Sequence, residues 1–295
     1  MNRPSLRQLE YIVAVADHGH FGRAAEACFV TQPALSTQVR QLEERLEVQI
    51  FERDRKGVLT TTLGQEIVDR ARRVLLQVDE LAEAARAAQQ PLSGELRLGV
   101  IPTVSPYLLP RVLPKVRRRH RALRLMLRED TTPRLVVELE AGRLDLLLLA
   151  LEADLGSAAA LPIFQDDFHV VLPIDHRLAR KKTLRESDLV GEQVLLLDDG
   201  HCLRDQALAV CGAPRPGELG DFRATSLSTL TQMLTSSDAL TLLPALALPV
   251  ETRGRRDLAV RPFRAPAPHR TIGLAWRRTS PRAEEFRVLA ESLGG

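Results

Sequence analysis

Three cysteines in 295 residues are too few for a disulfide framework. The chain therefore reads as a protein of a reducing cytosol, where a cysteine pair that oxidises senses or catalyses rather than braces the fold. Long apolar runs are missing too: nowhere do 18 uncharged apolar residues follow one another, so no transmembrane helix and no membrane partner are expected. Charges interrupt the apolar positions of the opening MNRPSLRQLEYIVAVADHG, and no cleavage site follows, which argues against a signal peptide. Charge of one sign is scarce as well. The net charge is +3, and residues 1–65 carry eight basic and eight acidic side chains. A nucleic-acid surface would have to come from the placement of charge, not from its sum. His201, Cys202 and Cys211 offer too few ligands at poor spacing for zinc, so neither a metal nor a cofactor is expected.

What is present is enough apolar residue, 44% of the chain, to fill the cores of two or three domains. The first stretch reads as short helices and a hairpin. Ser5 can cap a helix whose apolar stripe is Leu6, Leu9, Ile12, Val13 and Ala16. Gly19 and Gly22 bracket a tight turn before small residues Ala24, Ala25 and Cys28, which suit close helix packing. Thr31 then reads as an N-cap with Pro33 in the first turn, and Leu35, Val39, Leu42 and Leu46 as the buried face of the next helix. Its other face offers Gln32, Ser36, Thr37, Arg40 and Gln41 to phosphates or base edges. IFERDRKGVLT alternates about Lys56-Gly57 as a hairpin wing would, with Arg53, Arg55 and Lys56 placed to meet phosphates. Any one helix pair could be plain core packing; the series reads as a winged helix-turn-helix over 1–62. Ile67, Ala71, Val74, Val78, Leu81, Ala85 and Ala88 follow in steps of four and three, a heptad seam along a linker helix over 63–90 that two copies can share. Residues 91–94 break it as a hinge.

From 95 onward, strands alternate with helices: ELRLGVI, LRLMLRE, LDLLLLAL, VLLLDD, ALTLLP and RTIGLAW are strand-like, and PYLLPRVLPKVRRRH, RLVVELEAG, LSTLTQML and PRAEEFRVLAESL helical. That order predicts an α/β domain with largely parallel sheets. Two subdomains are expected, one over about 95–165 and 268–295, the other over about 166–267, with a cleft between them. The basic run KVRRRHR at 115–121 reads as a solvated helix end.

The stretch LRQLEYIVAVADHGHFGRAAEACFVTQPALSTQVRQLEERLEVQIFER resembles the DNA-binding domain of LysR-type transcriptional regulators. Over essentially its full length the chain is similar to the peroxide-sensing members of that family. The motifs are IPTVSPYLLP (101–110), LLLDDGHCLRDQALAVC (195–211), FRATSLSTL (222–230), LTLLPALALP (240–249) and RTIGLAWR (270–277). The resemblance implies a winged-helix reader of double-stranded promoter DNA, a dimerising linker helix and a periplasmic-binding-protein-like regulatory domain. It also implies a homotetramer and contact with RNA polymerase. Cys202 matches the peroxide-reacting cysteine and Cys211 the resolving one; Thr103 and Thr132 match the pocket lining, His201 and Arg204 the flanks of the thiol. Asp205 in the same motif and Arg270 are placed with that pocket. Two positions depart from the pattern: Asp221 stands where a histidine is found, and Ser237-Asp238 where Ser-Gly is usual.

The residues support this chemistry on their own terms. A free cysteine is ordinarily a small buried hydrophobe, as Cys28 among its alanines reads. His201, Arg204 and a second cysteine around Cys202 point instead to a reactive thiol. A helix start at Cys202 would favour the thiolate, and Arg204 would add a fixed positive charge. Were 202–211 helical, nine residues at about 1.5 Å rise would hold the two Cα atoms about 13–14 Å apart, whereas a disulfide needs roughly 7 Å or less. The segment would have to unwind for the pair to close. Two other readings stay open: a LysR-type regulator answering a small molecule in the interdomain cleft, and a thiol peroxidase, against which the helix-turn-helix argues.

Overall fold

A computed structural model describes residues 3–54, 57–89, 91–211 and 224–294. The chain divides into two compact units, Met1–Gln89 and Gln90–Gly295.

In the first unit, α1 (Leu6–His18) opens on a reciprocal capping box: Ser5 Oγ accepts from the Gln8 amide at 3.2 Å, and Gln8 Oε1 accepts from the Ser5 amide at 3.2 Å. The buried face is Gln8, Tyr11, Ile12 and Val15, so the stripe expected from the sequence is rotated; of its members only Ile12 is fully buried, and Leu6 is 45% exposed. Gln8 is tolerated inside because Gln8 Nε2 donates to Gln38 at 3.2 Å and its Oε1 accepts from Arg45 at 3.4 Å. Helix α2 (Phe21–Ala27) is capped by His20, whose Nδ1 accepts from the Gly22 amide at 2.9 Å. In α3 (Gln32–Leu46), Thr31 holds the N-cap position without a side-chain cap bond. Leu35, Val39 and Leu42 are buried there, but Leu46 in the last turn is 37% exposed. Strands β1 (Phe51–Asp54) and β2 (Gly57–Thr60) form the antiparallel wing. Helix α4 (Thr62–Gln89) packs Val68 and Ala71 on the core shared by α1 to α3, after which Val74 and Val78 are about two-fifths exposed and Leu81 75%.

The second unit is built on β3 (Gly94–Val100), α5 (Ser105–Arg119), β4 (Leu123–Glu129), α6 (Thr132–Glu140) and β5 (Leu146–Ala150), continued by the 15-residue β6 (Ala159–Pro173). It goes on through α7 (Cys202–Cys211), α8 (Leu227–Met233), β7 (Thr241–Pro244), α9 (Leu248–Glu251), β8 (Leu258–Pro262), β9 (His269–Trp276) and α10 (Ala283–Leu293). Pro110 and Pro114 lie inside α5 on its exposed side, where the carbonyls that lose an amide donor are on the solvent face of the helix. The sheet is not largely parallel. Of the strand ladders among the described residues, only β3–β4 and β3–β5 run parallel; β9 lies antiparallel between β5 and β6, and β6 carries β7 and β8 antiparallel further along. VLLLDD, expected as a strand, is extended but pairs only through single bridges, Val194 with Leu240 and Leu197 with Ala224. Two cores result. Lobe I packs β3, β5 and β9 with α5, α6 and α10; lobe II packs the far end of β6 with β7, β8, α7 and α8. β6 runs through both lobes.

Candidate functional site

Between the lobes, three helix starts converge. Ile101, Pro102 and Thr103 lead into α5, Thr131 and Thr132 begin α6, and His201 and Cys202 begin α7; together they line a closed crevice with no room for a water-sized sphere. Amide groups at helix starts favour an anion placed before them. The tight approach of the chain to α7 uses Gly200 at φ +88, where a Cβ would have room, its nearest neighbour lying 3.8 Å away, but where an L residue would be strained.

The cation of this site is Arg270. It is completely buried: Nε and Nη2 donate to Asp166 Oδ2 at 3.0 and 2.9 Å, Nη1 to Thr103 Oγ1 at 2.8 Å, and Nη2 to the Thr103 carbonyl at 3.0 Å. Asp166 is held in turn by the Leu246 amide, which donates to its Oδ1 at 2.9 Å. Burial dominates and leaves the Cys202 thiol above its ordinary value; Arg270, Thr132 and the Leu203 amide offset part of that rise, and Glu152 adds to it. The sequence reading gave the fixed charge to Arg204. Arg204 is spent elsewhere: its Nη1 donates to the Leu197 carbonyl at 3.1 Å and its Nε pairs with Asp199 at 3.0 Å. His201 is buried, and desolvation lowers its pKa against the raising effect of Asp198, so its ring is neutral at neutral pH. Thr132 Oγ1 lies near enough to favour the Cys202 anion, yet it forms no contact of hydrogen-bond geometry and is buried without a partner among the described residues. An incoming small polar molecule could supply one. Asp205 is exposed and faces a wider cleft of about 560 Å³ with Glu140, Glu152, Asp154 and Gln206; Cys202 and Thr132 line both spaces.

Cys202 and Cys211 are both free thiols at the two ends of α7. Cys202 packs against the core of lobe I and Cys211 belongs to the core of lobe II, where burial first and Glu186 second push its thiol up to about 12. Sequence reasoning missed Asp166, whose partner lies 104 residues away, and Glu152. It also missed the cap at His20, for which the preference for small polar caps gave no signal.

The second candidate surface lies in the first unit. Thr31, Gln32, Pro33, Thr37 and Arg40 are exposed on α3 and Ser36 is half-buried. The Thr37 hydroxyl donates to the Pro33 carbonyl at 2.8 Å. Arg53 pairs with Val58 in the backbone register of the wing; Arg55 and Lys56, and likewise Asp221, lie outside the described residues. Ser237 donates to the Met233 carbonyl at 3.3 Å, and Asp238 is exposed. Among the described residues no helix is long and apolar enough to cross a membrane, and no group of three or more His, Cys, Asp or Glu could hold a metal ion.

Residues 6–65 match the bacterial regulatory helix-turn-helix proteins of the lysR family, and residues 89–295 the LysR substrate binding domain. The chain is 43% identical over 289 residues to the DNA-binding transcriptional dual regulator OxyR of Escherichia coli K12, covering 98% of this chain and 94% of that protein. It is 42% identical over 289 residues to a hydrogen peroxide-inducible genes activator of Pectobacterium carotovorum, covering 98% and 95%. Among solved structures, a full-length OxyR cysteine variant from Pseudomonas aeruginosa superposes with a TM-score of 0.81 at 36% identity, covering 99% of this chain and 95% of that one. A hydrogen peroxide-bound cysteine mutant of Corynebacterium glutamicum OxyR gives 0.68 at 35%, covering 99% and 92%. With both domains matched and the likeness running end to end, the chain belongs to the LysR family of bacterial regulators, within its OxyR group.

Proposed function

We propose that this protein is a hydrogen-peroxide-sensing transcriptional regulator whose switch is the Cys202–Cys211 pair. The observation that carries the reading is the arrangement around Cys202: three helix starts, a buried Arg270 and a Thr132 hydroxyl without a partner among the described residues surround one thiol. In the proposed reaction, His201 as a neutral base accepts the thiol proton, and Thr103 and Thr132 orient the peroxide. The Cys202 thiolate attacks one peroxide oxygen; the S–O bond forms as the O–O bond breaks, and the departing hydroxide takes back the proton held by His201 to leave as water. The Cys211 sulfur then attacks the sulfenic acid, forming the S–S bond and releasing a second water. Two thiols and one peroxide give one disulfide and two waters.

The second step needs motion. With α7 formed, the Cα atoms of its end residues are about 13–14 Å apart, well beyond the roughly 7 Å of a disulfide. Sulfenic acid formation followed by unwinding of α7 is the bistable element of this reading. The exposed Val74, Val78 and Leu81 of α4 support a homodimer through that helix, and the regulatory domains a homotetramer. Double-stranded promoter DNA on α3 and the wing, RNA polymerase as partner and a cytoplasmic setting complete the proposal. The helix-turn-helix over residues 6–65 favours a sensor that reports to DNA over a turnover enzyme.

Peptide mapping by mass spectrometry after peroxide treatment tests the pairing, and footprinting with and without peroxide tests the output. A Cys202–Cys211 disulfide with an altered footprint is expected; a footprint that changes only with an added metabolite would favour an effector in the 560 Å³ cleft instead. Arg40→Ala should weaken a specific site by about 1–3 kcal/mol in gel-shift titration, because the side chain stands exposed on the reading face.

A further inference from the structure

Helix α7 touches lobe I through more than its reactive thiol. Gln206 lies four residues after Cys202, one turn along the same face, and Gln206 Nε2 donates to Glu152 Oε2 at 3.3 Å. Glu152 stands in the segment after β5 and is itself anchored: its Oε1 accepts from the Thr271 amide of β9 at 2.6 Å, next to Arg270. The other atom of the Gln206 amide, Oε1, is buried with no partner among the described residues. The tie to Glu152 is thus the hydrogen bond that the Gln206 side chain makes, and it joins the helix that must unwind to the strand that carries the site's cation.

We propose that Glu152 is a positioning residue that, through Gln206, latches α7 in its reduced helical form and restrains the oxidation of Cys202. This rests on the peroxide-sensing reading above. Two effects act in one direction. The hydrogen bond holds the middle of α7 against lobe I, so unwinding must break it. The carboxylate also opposes a second negative charge on the Cys202 sulfur. The charged groups around that sulfur are Arg270 from β9, Glu152 and Asp154 after β5, Glu140 from α6, Asp205 from α7 and His201 ahead of it. Arg270 and Glu152 act on it directly, with opposite sign.

The test uses full-length reduced protein carrying Glu152→Gln, Glu152→Ala or Gln206→Leu, with two readouts that need no peroxide. The first is hydrogen exchange of the α7 amides. The second is the pH profile of Cys202 alkylation by iodoacetamide, mapped by mass spectrometry. Glu152→Ala and Gln206→Leu should speed α7 exchange roughly fivefold, the effect of one lost hydrogen bond. Glu152→Gln should move the alkylation profile to lower pH, whereas Gln206→Leu, which removes no charge, should leave its midpoint in place. Unchanged exchange in both latch variants, or profiles that do not separate Glu152→Gln from Gln206→Leu, overturns the proposal. Should the wild-type protein ignore peroxide while these differences persist, the latch stands and the sensing reading fails.

Discussion

The two ends of α7 are chemically opposite places. Cys202 sits where three helix starts meet, beside a guanidinium with no solvent exposure, in contact with lobe I. Cys211, ten positions into the same helix, is packed in the apolar core of lobe II with its thiol pushed up to about 12. Burial raises both thiols, but only the first has groups that pull back: Arg270, Thr132 and the Leu203 amide. The difference assigns order to the chemistry. A nucleophile can form at Cys202 while α7 is intact; Cys211 has to leave its core first.

Replacing the cysteines breaks the comparison most completely. Cys202→Ser should abolish peroxide-dependent disulfide formation, whereas Cys211→Ser should still consume one equivalent and stall at a sulfenic acid open to over-oxidation. Trapping with dimedone and intact mass would distinguish these, and equal trapping in both variants would show that the ends are interchangeable. Next in size is Arg270→Met. It leaves Asp166 buried without its partner, and a loss of about 3–5 kcal/mol in urea unfolding is expected. Cys202 alkylation should move to higher pH, while that of Cys211 stays put.

A smaller effect follows from the Cys211 thiol. Its folded pKa of about 12 lies above the ordinary 9.0, so the folded state holds its proton more tightly than the unfolded chain. The associated stability is fully present below pH 9 and is lost as pH rises toward 12, by about 1 kcal/mol at pH 10. Cys211→Ala should flatten that stretch of the stability curve, as urea unfolding between about pH 8 and 11 would show. The least consequential change is Asp199→Asn. Its pair with Arg204 lies at the surface end, Asp199 being 67% exposed, so about 0–1 kcal/mol is expected. The Cys202 profile should move far less than with Arg270→Met; a comparable shift would restore Arg204 as the site's cation.

Much of this site was legible because its signals are local. Gly200, His201, Cys202 and Cys211 fall within twelve residues, and the helix between the cysteines has no Gly or Pro and includes the helix formers Leu203, Ala207 and Leu208. The helix-turn-helix was legible for the same reason. Leu35, Val39 and Leu42 mark one face at helical spacing, and each is fully buried. What stayed hidden is non-local. The Arg270–Asp166 pair joins strands paired across the sheet, with no periodicity to announce it. Ala159–Pro173 contains Pro162 and the pair Asp166-Asp167, which obscures the alternation of a strand, and its burial pattern changes character where it passes from lobe I to lobe II. VLLLDD failed in the opposite sense: an apolar run of that length satisfies strand propensity, but its neighbours offer single bridges and no ladder. Leu46 and Leu6 misled because helix ends expose apolar residues that a periodic pattern counts as core.

The position of β9 between β5 and β6 has a consequence for synthesis. It is synthesised more than a hundred residues after the stretches it joins, yet it lies in the interior of the sheet, pairing on one side with Leu147–Ala150 and on the other with Ala159–Asp167. Until residue 270 has emerged, the half-made chain has Cys202 but no guanidinium beside it, and Asp166 has no reason to be dehydrated. The surroundings of the thiol are completed only when a long-range strand pairing of high sequence separation closes the sheet and brings Arg270 to the site in the same event.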